Sequence, residues 1–119
     1  MFMKILIPTT PIPGHLNPLL GLARILVKHG HEVLVQTGNT FKPTVKAAGI
    51  PFIPLLPEAD VEPAQFFAKH PEVHEKKPLE WFGFTIENLF LPQLPAQAVG
   101  LEMALRDFPA DVILTESMF

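Results

Sequence analysis

Residues 3–37 read MKILIPTTPIPGHLNPLLGLARILVKHGHEVLVQT, and this stretch decides the fold. Residues 3–8 form a short apolar run rich in branched side chains, which is typical of a strand buried on both faces. A helix is predicted next, because Asn17 and Pro18 suit a helix cap and the first helical position. Apolar residues then recur at helical spacing until Gly30, which is expected to end the helix.

The alternation of strands and helices continues along the chain. Residues 32–37 predict a second strand, and residues 51–56 predict a third, whose prolines place it at a sheet edge. Residues 79–108 predict one long helical region, and Pro92 and Pro95 predict either a kink or two helices there. Residues 111–115 predict a fourth strand. Residues 57–78 are rich in prolines and charges, and we expect a functional loop there.

This order of elements predicts an α/β fold. Strands that alternate with helices form a parallel sheet with right-handed crossovers. We therefore expect a Rossmann-like parallel sheet of strand order 3-2-1-4 with flanking helices, in which strands one and four are neighbours.

The composition excludes several function classes. The chain has 119 residues, of which 48% are hydrophobic and 18% charged, so it is globular. A net charge of −3 without a Lys/Arg run argues against nucleic acid as a partner. There is no cysteine for disulfides or thiolate metal sites. No apolar stretch approaches the roughly 20 residues that span a bilayer, and residues 1–13 lack a signal-peptide core, so we expect a cytoplasmic protein without a transmembrane segment.

The fourth predicted strand is as hydrophobic as a strand in the middle of a sheet. Only a few residues follow it, so its outer edge would be unpaired, and an unpaired edge invites another chain. We therefore expect that the natural protein continues and that these residues are a fragment. The alternative is a complete four-stranded protein that dimerises edge to edge.

Residues 9–16 (TTPIPGHL) lie where ligands bind in open α/β sheets, beyond the carboxyl end of strand one at the point where strand order reverses. The single glycine, Gly14, makes this neither a GxGxxG loop nor a P-loop. The segment does present His15, whose imidazole is suited to take a proton from a hydroxyl near neutral pH. The alternative is an ordinary histidine on a surface loop.

A histidine base needs a carboxylate that orients the ring and stabilises the imidazolium. The fourth strand has Asp111 at its start, on the far side of the sheet, and Glu116 just after its end, on the same edge as His15. Because neighbouring strands are only about 5 Å apart, we predict that His15 and Glu116 form a pair. A solvated glutamate is the alternative.

Aromatic side chains are concentrated in the second half of the chain, at Phe66, Phe67, Trp81, Phe82, Phe84 and Phe90. They suit either a pocket for a flat apolar ligand or the core beneath the long helix. His70 and His74 have the i, i+4 spacing of helical metal ligands, but Pro71 lies between them and no third ligand stands out. We therefore predict no metal site.

At this point the sequence resembles a known family. Residues 11–38, followed by KAAGIPFIPL at residues 46–55, resemble the N-terminal region of inverting GT-B glycosyltransferases, the group that contains macrolide, antibiotic and plant natural-product glucosyltransferases. The resemblance rests on motifs that occur in register: Gly14-His15-x-x-Pro18, Gly30-His31-x-Val33 and the Ala-Gly-Ile that precedes strand three. It is clear over residues 3–56, weaker afterwards, and returns at residues 109–119.

The resemblance implies a two-domain enzyme. Residues 1–119 would be an incomplete N-terminal acceptor-binding domain, and the absent C-terminal domain would bind a nucleotide sugar, usually UDP- or TDP-linked. His15 would be the general base of an inverting transfer that needs no metal and no cofactor. The family aspartate that orients this histidine corresponds to Glu116, which is one methylene longer. The residues expected to contact a lipophilic small-molecule acceptor are Pro13, Gly14, Trp81, Phe82 and Phe90.

These residues alone are not expected to catalyse the transfer, because nothing in them binds the sugar nucleotide in the manner of the family. Two other interpretations stay open. One is a Rossmann-like nucleotide-binding module, against which the absent glycine-rich loop argues. The other is a non-enzymatic binding or assembly subunit of a split glycosyltransferase, which would dock through strand four.

Overall fold

A computed structural model of the chain describes residues 2–119. Within them, four parallel strands form a sheet of order β3-β2-β1-β4. The strands are β1 (Lys4–Pro8), β2 (Glu32–Thr37), β3 (Phe52–Pro54) and β4 (Val112–Ile113). The predicted α/β fold and strand order are confirmed, and so is the edge position of the proline-containing third strand.

The core lies between the central strands and the helices on one face of the sheet. Alternate residues of β1 and β2 point to this face, as the pleat requires, and they pack on helix α1 (Pro13–Lys28) and helix α2 (Lys42–Ala47). The buried residues of this cluster are Ile5, Ile7, Leu16, Leu20, Ala23, Val33, Val35, Val45 and Ile50.

Helix α1 begins earlier than predicted. Its cap residue is Ile12 and Pro13 occupies the first turn, so the cap predicted at Asn17 is wrong and Pro18 lies inside the helix. Pro13 meets the same preference for proline at the first helical position. Pro18 removes one hydrogen bond inside the helix, and its ring crowds the carbonyl of Gly14. His15 is consequently a residue of the first helical turn and not of a loop.

Residues 57–78 contain regular secondary structure, so the expectation of a loop is wrong. They form a 3₁₀ turn (Pro57–Ala59), helix α3 (Pro63–Lys69) and a second 3₁₀ turn (Pro71–Glu75). Each of these elements begins with a proline, where the fixed φ favours a helical turn and the missing N–H costs nothing. The prolines therefore start short helices here.

The long helical region changes pitch where the prolines predict a kink. Helix α4 (Pro78–Thr85) runs into a π-helical turn (Ile86–Phe90) and a 3₁₀ turn (Leu91–Gln93) before helix α5 (Leu94–Asp107). A proline supplies no N–H to the carbonyl four residues earlier, so the regular ladder cannot continue through it. The predicted interruption is confirmed.

The fourth strand is short and lies at an edge of the sheet. Val112 and Ile113 pair with Ile5 and Leu6 of β1, and the side chain of Ile113 is 41% exposed. Among residues 2–119, no helix combines the length and the apolar character needed to cross a membrane.

Candidate active site

The candidate site lies at the carboxyl ends of the two neighbouring strands β1 and β4. The segment between β1 and α1 and the segment after β4 meet there. The hydroxyl of Thr115 donates a hydrogen bond of 2.7 Å to the carbonyl of Pro8, which ties the second segment to the end of β1. The sheet topology thus brings residues about 100 positions apart to one edge.

His15 and Glu116 are in contact at this edge. His15 Nδ1 lies 3.1 Å from Glu116 Oε2, and the two side chains are 32% and 14% exposed. The extra methylene of the glutamate does not keep its carboxylate from the ring. Asp111 lies at the opposite end of β4, where its Oδ2 accepts a 2.8 Å hydrogen bond from the N–H of Lys4.

Thr10 is the residue at this site that the sequence analysis missed. Its hydroxyl lies 2.6 Å from Glu116 Oε1 and 3.0 Å from His15 Nδ1, and its backbone N–H donates to Glu116 Oε1 at 3.1 Å. The residue is only 1% exposed. Its position just after the first strand, on the same edge as His15 and Glu116, was the signal available in the sequence.

The carboxyl group of Glu116 is held in its ionised form. Burial raises its pKa, but hydrogen bonds from the Thr10 hydroxyl and from the backbone N–H groups of Met118 and Thr10 lower it. The adjacent His15 lowers it further, and the pKa of Glu116 lies below the ordinary value for glutamate. A carboxylate that accepts several hydrogen bonds is stabilised as the anion, because every donor favours the charged form.

The network assigns the proton of the neutral imidazole ring. An ionised carboxylate only accepts hydrogen bonds, so the Thr10 hydroxyl donates its one proton to Glu116 Oε1. The Thr10 oxygen can then only be an acceptor toward His15 Nδ1. Glu116 Oε2, 3.1 Å from Nδ1, can also only be an acceptor. Nδ1 therefore carries the proton and Nε2 is the free acceptor, which is the tautomer that a general base requires.

A cavity of about 300 Å³, here called the His15 cavity, has this histidine in its wall. The remaining lining side chains are apolar or uncharged, and none is Asp, Glu, Lys or Arg. They are Ile12, Pro63, Phe67, Trp81, Phe82, Thr85, Ile86, Leu89, Phe90 and Met118. The cavity joins the segment before α1, helices α3 and α4, the π-helical turn and the segment after β4.

The aromatic residues divide between the cavity and the core. Trp81 and Phe82, which follow each other on α4, both line the cavity, and Trp81 stacks on Phe67 with ring centroids 5.7 Å apart. Phe66 is 8% exposed and packs against Phe84 at a centroid distance of 6.0 Å. Phe66 is thus a buried core residue, whereas Trp81 and Phe82 line the cavity.

The structure brings four of the expected site residues to the His15 cavity, namely His15, Trp81, Phe82 and Phe90. Pro13 lines an adjoining cavity of about 340 Å³, which shares Ile12 and Pro63 with the first. Gly14 lines neither cavity. Ile12, Pro63 and Met118 carried no signal in the sequence, since only packing between distant segments brings them together.

Metal ligation has little support in the described chain. Residues 2–119 contain no group of three or more His, Cys, Asp or Glu side chains placed to hold a metal ion. His70 Nδ1 instead lies 3.0 Å from Glu72 Oε1, on an exposed part of the surface.

Comparison with known proteins finds glycosyltransferases. No protein-family model matches the chain. UDP-glucosyltransferase B1 of Starmerella bombicola is 35% identical over 114 residues, which cover 92% of this chain and 26% of that protein. The 4'-demethylrebeccamycin synthase of Lentzea aerocolonigenes is 30% identical over 119 residues, covering 100% of this chain and 28% of that protein.

Solved structures agree with these relatives. The Streptomyces sp. SF2575 glycosyltransferase SsfS6 superimposes with a TM-score of 0.67 at 25% identity, over 95% of this chain and 33% of its own. The calicheamicin glycosyltransferase CalG4 has a TM-score of 0.67 at 26% identity, over 95% of this chain and 26% of its own. The chain is thus similar to glycosyltransferases of GT-B type, and it spans about a quarter to a third of the length of these relatives.

Proposed function

We propose that the chain is the acceptor-binding region of a glycosyltransferase. The enzyme would move a sugar from a nucleotide-sugar donor to a hydroxyl group of a lipophilic small molecule, with inversion at the anomeric carbon. The observation that carries this proposal is the position of His15, which is held by Glu116 and Thr10 and forms part of the wall of an apolar cavity.

The geometry supports His15 as the general base. With Nδ1 protonated, Nε2 can take the proton of an acceptor hydroxyl as its oxygen attacks the anomeric carbon. The bond between the anomeric carbon and the nucleoside diphosphate breaks, and its electron pair leaves with the diphosphate. This single displacement inverts the configuration at the anomeric carbon. Glu116 stabilises the imidazolium that forms, because its carboxylate stays ionised 3.1 Å from Nδ1.

The cavity supports a flat, apolar acceptor. Its volume of about 300 Å³ is at the lower end of the range for small-molecule sites, and its walls carry no ionised carboxylate, ammonium or guanidinium group. Two of the similar proteins are named for the small molecules 4'-demethylrebeccamycin and calicheamicin, which favours a small-molecule acceptor here.

The donor site belongs, in this proposal, to a C-terminal region beyond these residues. The chain matches only 26% of the length of UDP-glucosyltransferase B1, and SsfS6 has been solved in complex with thymidine diphosphate. The partial coverage favours a donor site outside the residues described above. The thymidine diphosphate complex, together with the name of the UDP-glucosyltransferase, favours a TDP- or UDP-linked donor.

An amide-resolved NMR titration of the chain tests whether it binds the acceptor and not the nucleotide-sugar donor. Hydroxylated aglycones, such as flavonoids and macrolide aglycones, should shift the amides of His15 and of Trp81 to Phe90, while UDP-glucose should shift none of them. Tight binding of the nucleotide sugar with no response to any aglycone would overturn the proposal. It would indicate a nucleotide-binding module instead.

A further inference from the structure

Thr10 occupies the centre of the His15–Glu116 contact. Its hydroxyl is within hydrogen-bonding distance of both partners, 3.0 Å from the ring nitrogen and 2.6 Å from the carboxylate. Thr10 lies two residues after β1 and is 1% exposed, and its hydroxyl has no other hydrogen-bond partner among residues 2–119. A hydroxyl buried this deeply is costly unless it is paired, and here both its donor and its acceptor functions are used.

Three hydrogen bonds to Glu116 hold its carboxylate in one orientation. Oε1 accepts from the hydroxyl and the backbone N–H of Thr10, and Oε2 accepts from the backbone N–H of Met118 at 2.7 Å. His15 Nδ1 lies 3.1 Å from Oε2, and its hydrogen-bond partner is the Thr10 oxygen. Without the Thr10 hydroxyl, Oε1 would lose its shorter bond and the carboxylate would gain freedom to turn.

We propose that Thr10 is a positioning residue that keeps His15 in the Nδ1–H tautomer with Nε2 free to accept a proton. The inference rests on the proposed function, because the tautomer matters for turnover only if His15 is the base. Thr10 acts through the ring and the carboxylate and does not itself contact the reacting atoms. It is thus a third member of the site beside the histidine and the carboxylate.

The neighbouring Thr9 provides a matched control. It is as buried as Thr10, at 0% exposure, and precedes it directly in the chain. Its hydroxyl donates to the carbonyl of Thr10 at 3.3 Å and touches neither the histidine nor the glutamate. Valine is close to threonine in shape, so Thr9→Val and Thr10→Val remove the same group from adjacent buried positions.

The ring nitrogens of His15 can be observed directly by ¹⁵N-resolved NMR of the protein and of its Thr10→Val, Thr10→Ser and Thr9→Val variants. Wild type, Thr10→Ser and Thr9→Val should all have a protonated Nδ1 and an unprotonated Nε2 at neutral pH. Thr10→Val should show the Nε2–H tautomer or a mixture, with otherwise preserved amide spectra. Ring shifts in Thr10→Val that equal those of wild type would overturn the inference.

Kinetics of the complete enzyme give the second readout. We expect Thr10→Val to lower kcat by about 10- to 100-fold, which corresponds to the loss of one hydrogen bond to an ionised group. The KM for the acceptor should stay nearly unchanged, and Thr10→Ser should restore activity. Full activity of His15→Ala together with an altered tautomer in Thr10→Val would refute the proposed function and leave the positioning role intact. An unaltered tautomer and kcat in Thr10→Val, with His15→Ala inactive, would refute the positioning role alone.

Discussion

His15 and Glu116 illustrate how one contact between two side chains shapes the chemistry of a site. In the proposed mechanism the imidazole accepts a proton at Nε2 only while Nδ1 keeps its own. The Thr10 oxygen at 3.0 Å and the ionised carboxylate at 3.1 Å both favour a proton on Nδ1. Two predictions belong to this scale, one for each member of the pair.

The His15→Ala variant of the complete enzyme should lose turnover by about 100-fold or more, which is the usual cost of removing a general base. The free energy of unfolding should change little, because the ring is 32% exposed. Steady-state kinetics with a nucleotide sugar and an aglycone provide the measurement. His29→Ala, an exposed histidine at the end of α1, is the control, and turnover of His15→Ala within a few-fold of wild type would eliminate His15 as the base.

Glu116 should make stability depend on pH. Because its pKa is lower in the folded state, its charged form stabilises the fold above the ordinary pKa of about 4.3, and that stabilisation disappears as the pH falls through the lowered value. Wild type should therefore be more stable than Glu116→Gln by about 1–2 kcal/mol at pH 7 and by much less near pH 3.

Urea denaturation at the two pH values measures this difference. Glu102→Gln is the control, because Glu102 is exposed and its ion pair with Arg106 lies in solvent, where such pairs contribute little. A stability gap between wild type and Glu116→Gln that is the same at both pH values would contradict the prediction.

At the scale of elements, a tight contact at Gly38 joins three segments around the site. A Cβ at this position would lie 2.7 Å from Pro11 Cβ and would also collide with the carboxylate of Asp60. Asp60 Oδ2 in turn accepts a 2.9 Å hydrogen bond from the N–H of Asn39. The segment before α1, the turn after β2 and the segment before α3 are thereby packed together.

Gly38→Ala should destabilise the fold by about 1–3 kcal/mol, as expected when a methyl group is forced into a filled space. Gly21→Ala is the matched control, since no atom lies within 4 Å of its added Cβ and the helix around it should gain about 0.5–1 kcal/mol. Denaturation midpoints of the two variants measure the difference. Equal midpoints would mean that the contact at Gly38 relaxes without cost.

Helix α4 allows the acceptor site to be tested within one element. Phe82 lines the His15 cavity and is 56% exposed, whereas Leu79, one turn earlier, is 82% exposed and lies outside it. Phe82→Ala should weaken aglycone binding about tenfold, because a ligand would otherwise cover the ring, and Leu79→Ala should not. Trp81 is the single tryptophan and also lines the cavity, so its fluorescence reports binding. Equal affinities in the two variants would place the acceptor elsewhere.

At the scale of the whole molecule, the chain is elongated. Its Cα radius of gyration is 15.4 Å and its extents are 52 × 24 × 23 Å, against a radius of about 13.5 Å for a compact domain of this length. The surface is correspondingly large, and the outer edge of β4 has no neighbouring strand among residues 2–119.

An open edge predicts association of the isolated chain through β4. Sedimentation velocity should show a weight-average mass that rises with concentration, and Ile113→Lys should reduce it by placing a charge on the edge. Val99→Lys, on the exposed surface of α5, is the control because it adds the same charge away from β4. A mass independent of concentration, or an equal effect of both variants, would contradict edge pairing.

Local patterns in the sequence were sufficient for the strands, the strand order and the His15–Glu116 pair. A few consecutive apolar residues are enough to predict a strand, and the carboxyl ends of neighbouring parallel strands must lie at the same edge of the sheet. Local patterns were misleading at the start of α1, where both Pro13 and Pro18 suit the first helical position and the helix begins at Pro13. They were also misleading at residues 57–78, where prolines begin short helices.

Folding decided what no local pattern contains. In an unfolded chain the Thr10 hydroxyl could form a hydrogen bond with its own backbone or with water. It contacts Glu116 only because β1 and β4 are paired. The division of the aromatic residues between core and cavity likewise depends on how α3 and α4 pack against the segment before α1. Contacts between residues about 100 positions apart exist only after β1 and β4 have paired. That is why the sequence predicted the pair of His15 and Glu116, while the tertiary structure supplied Thr10, the residue between them.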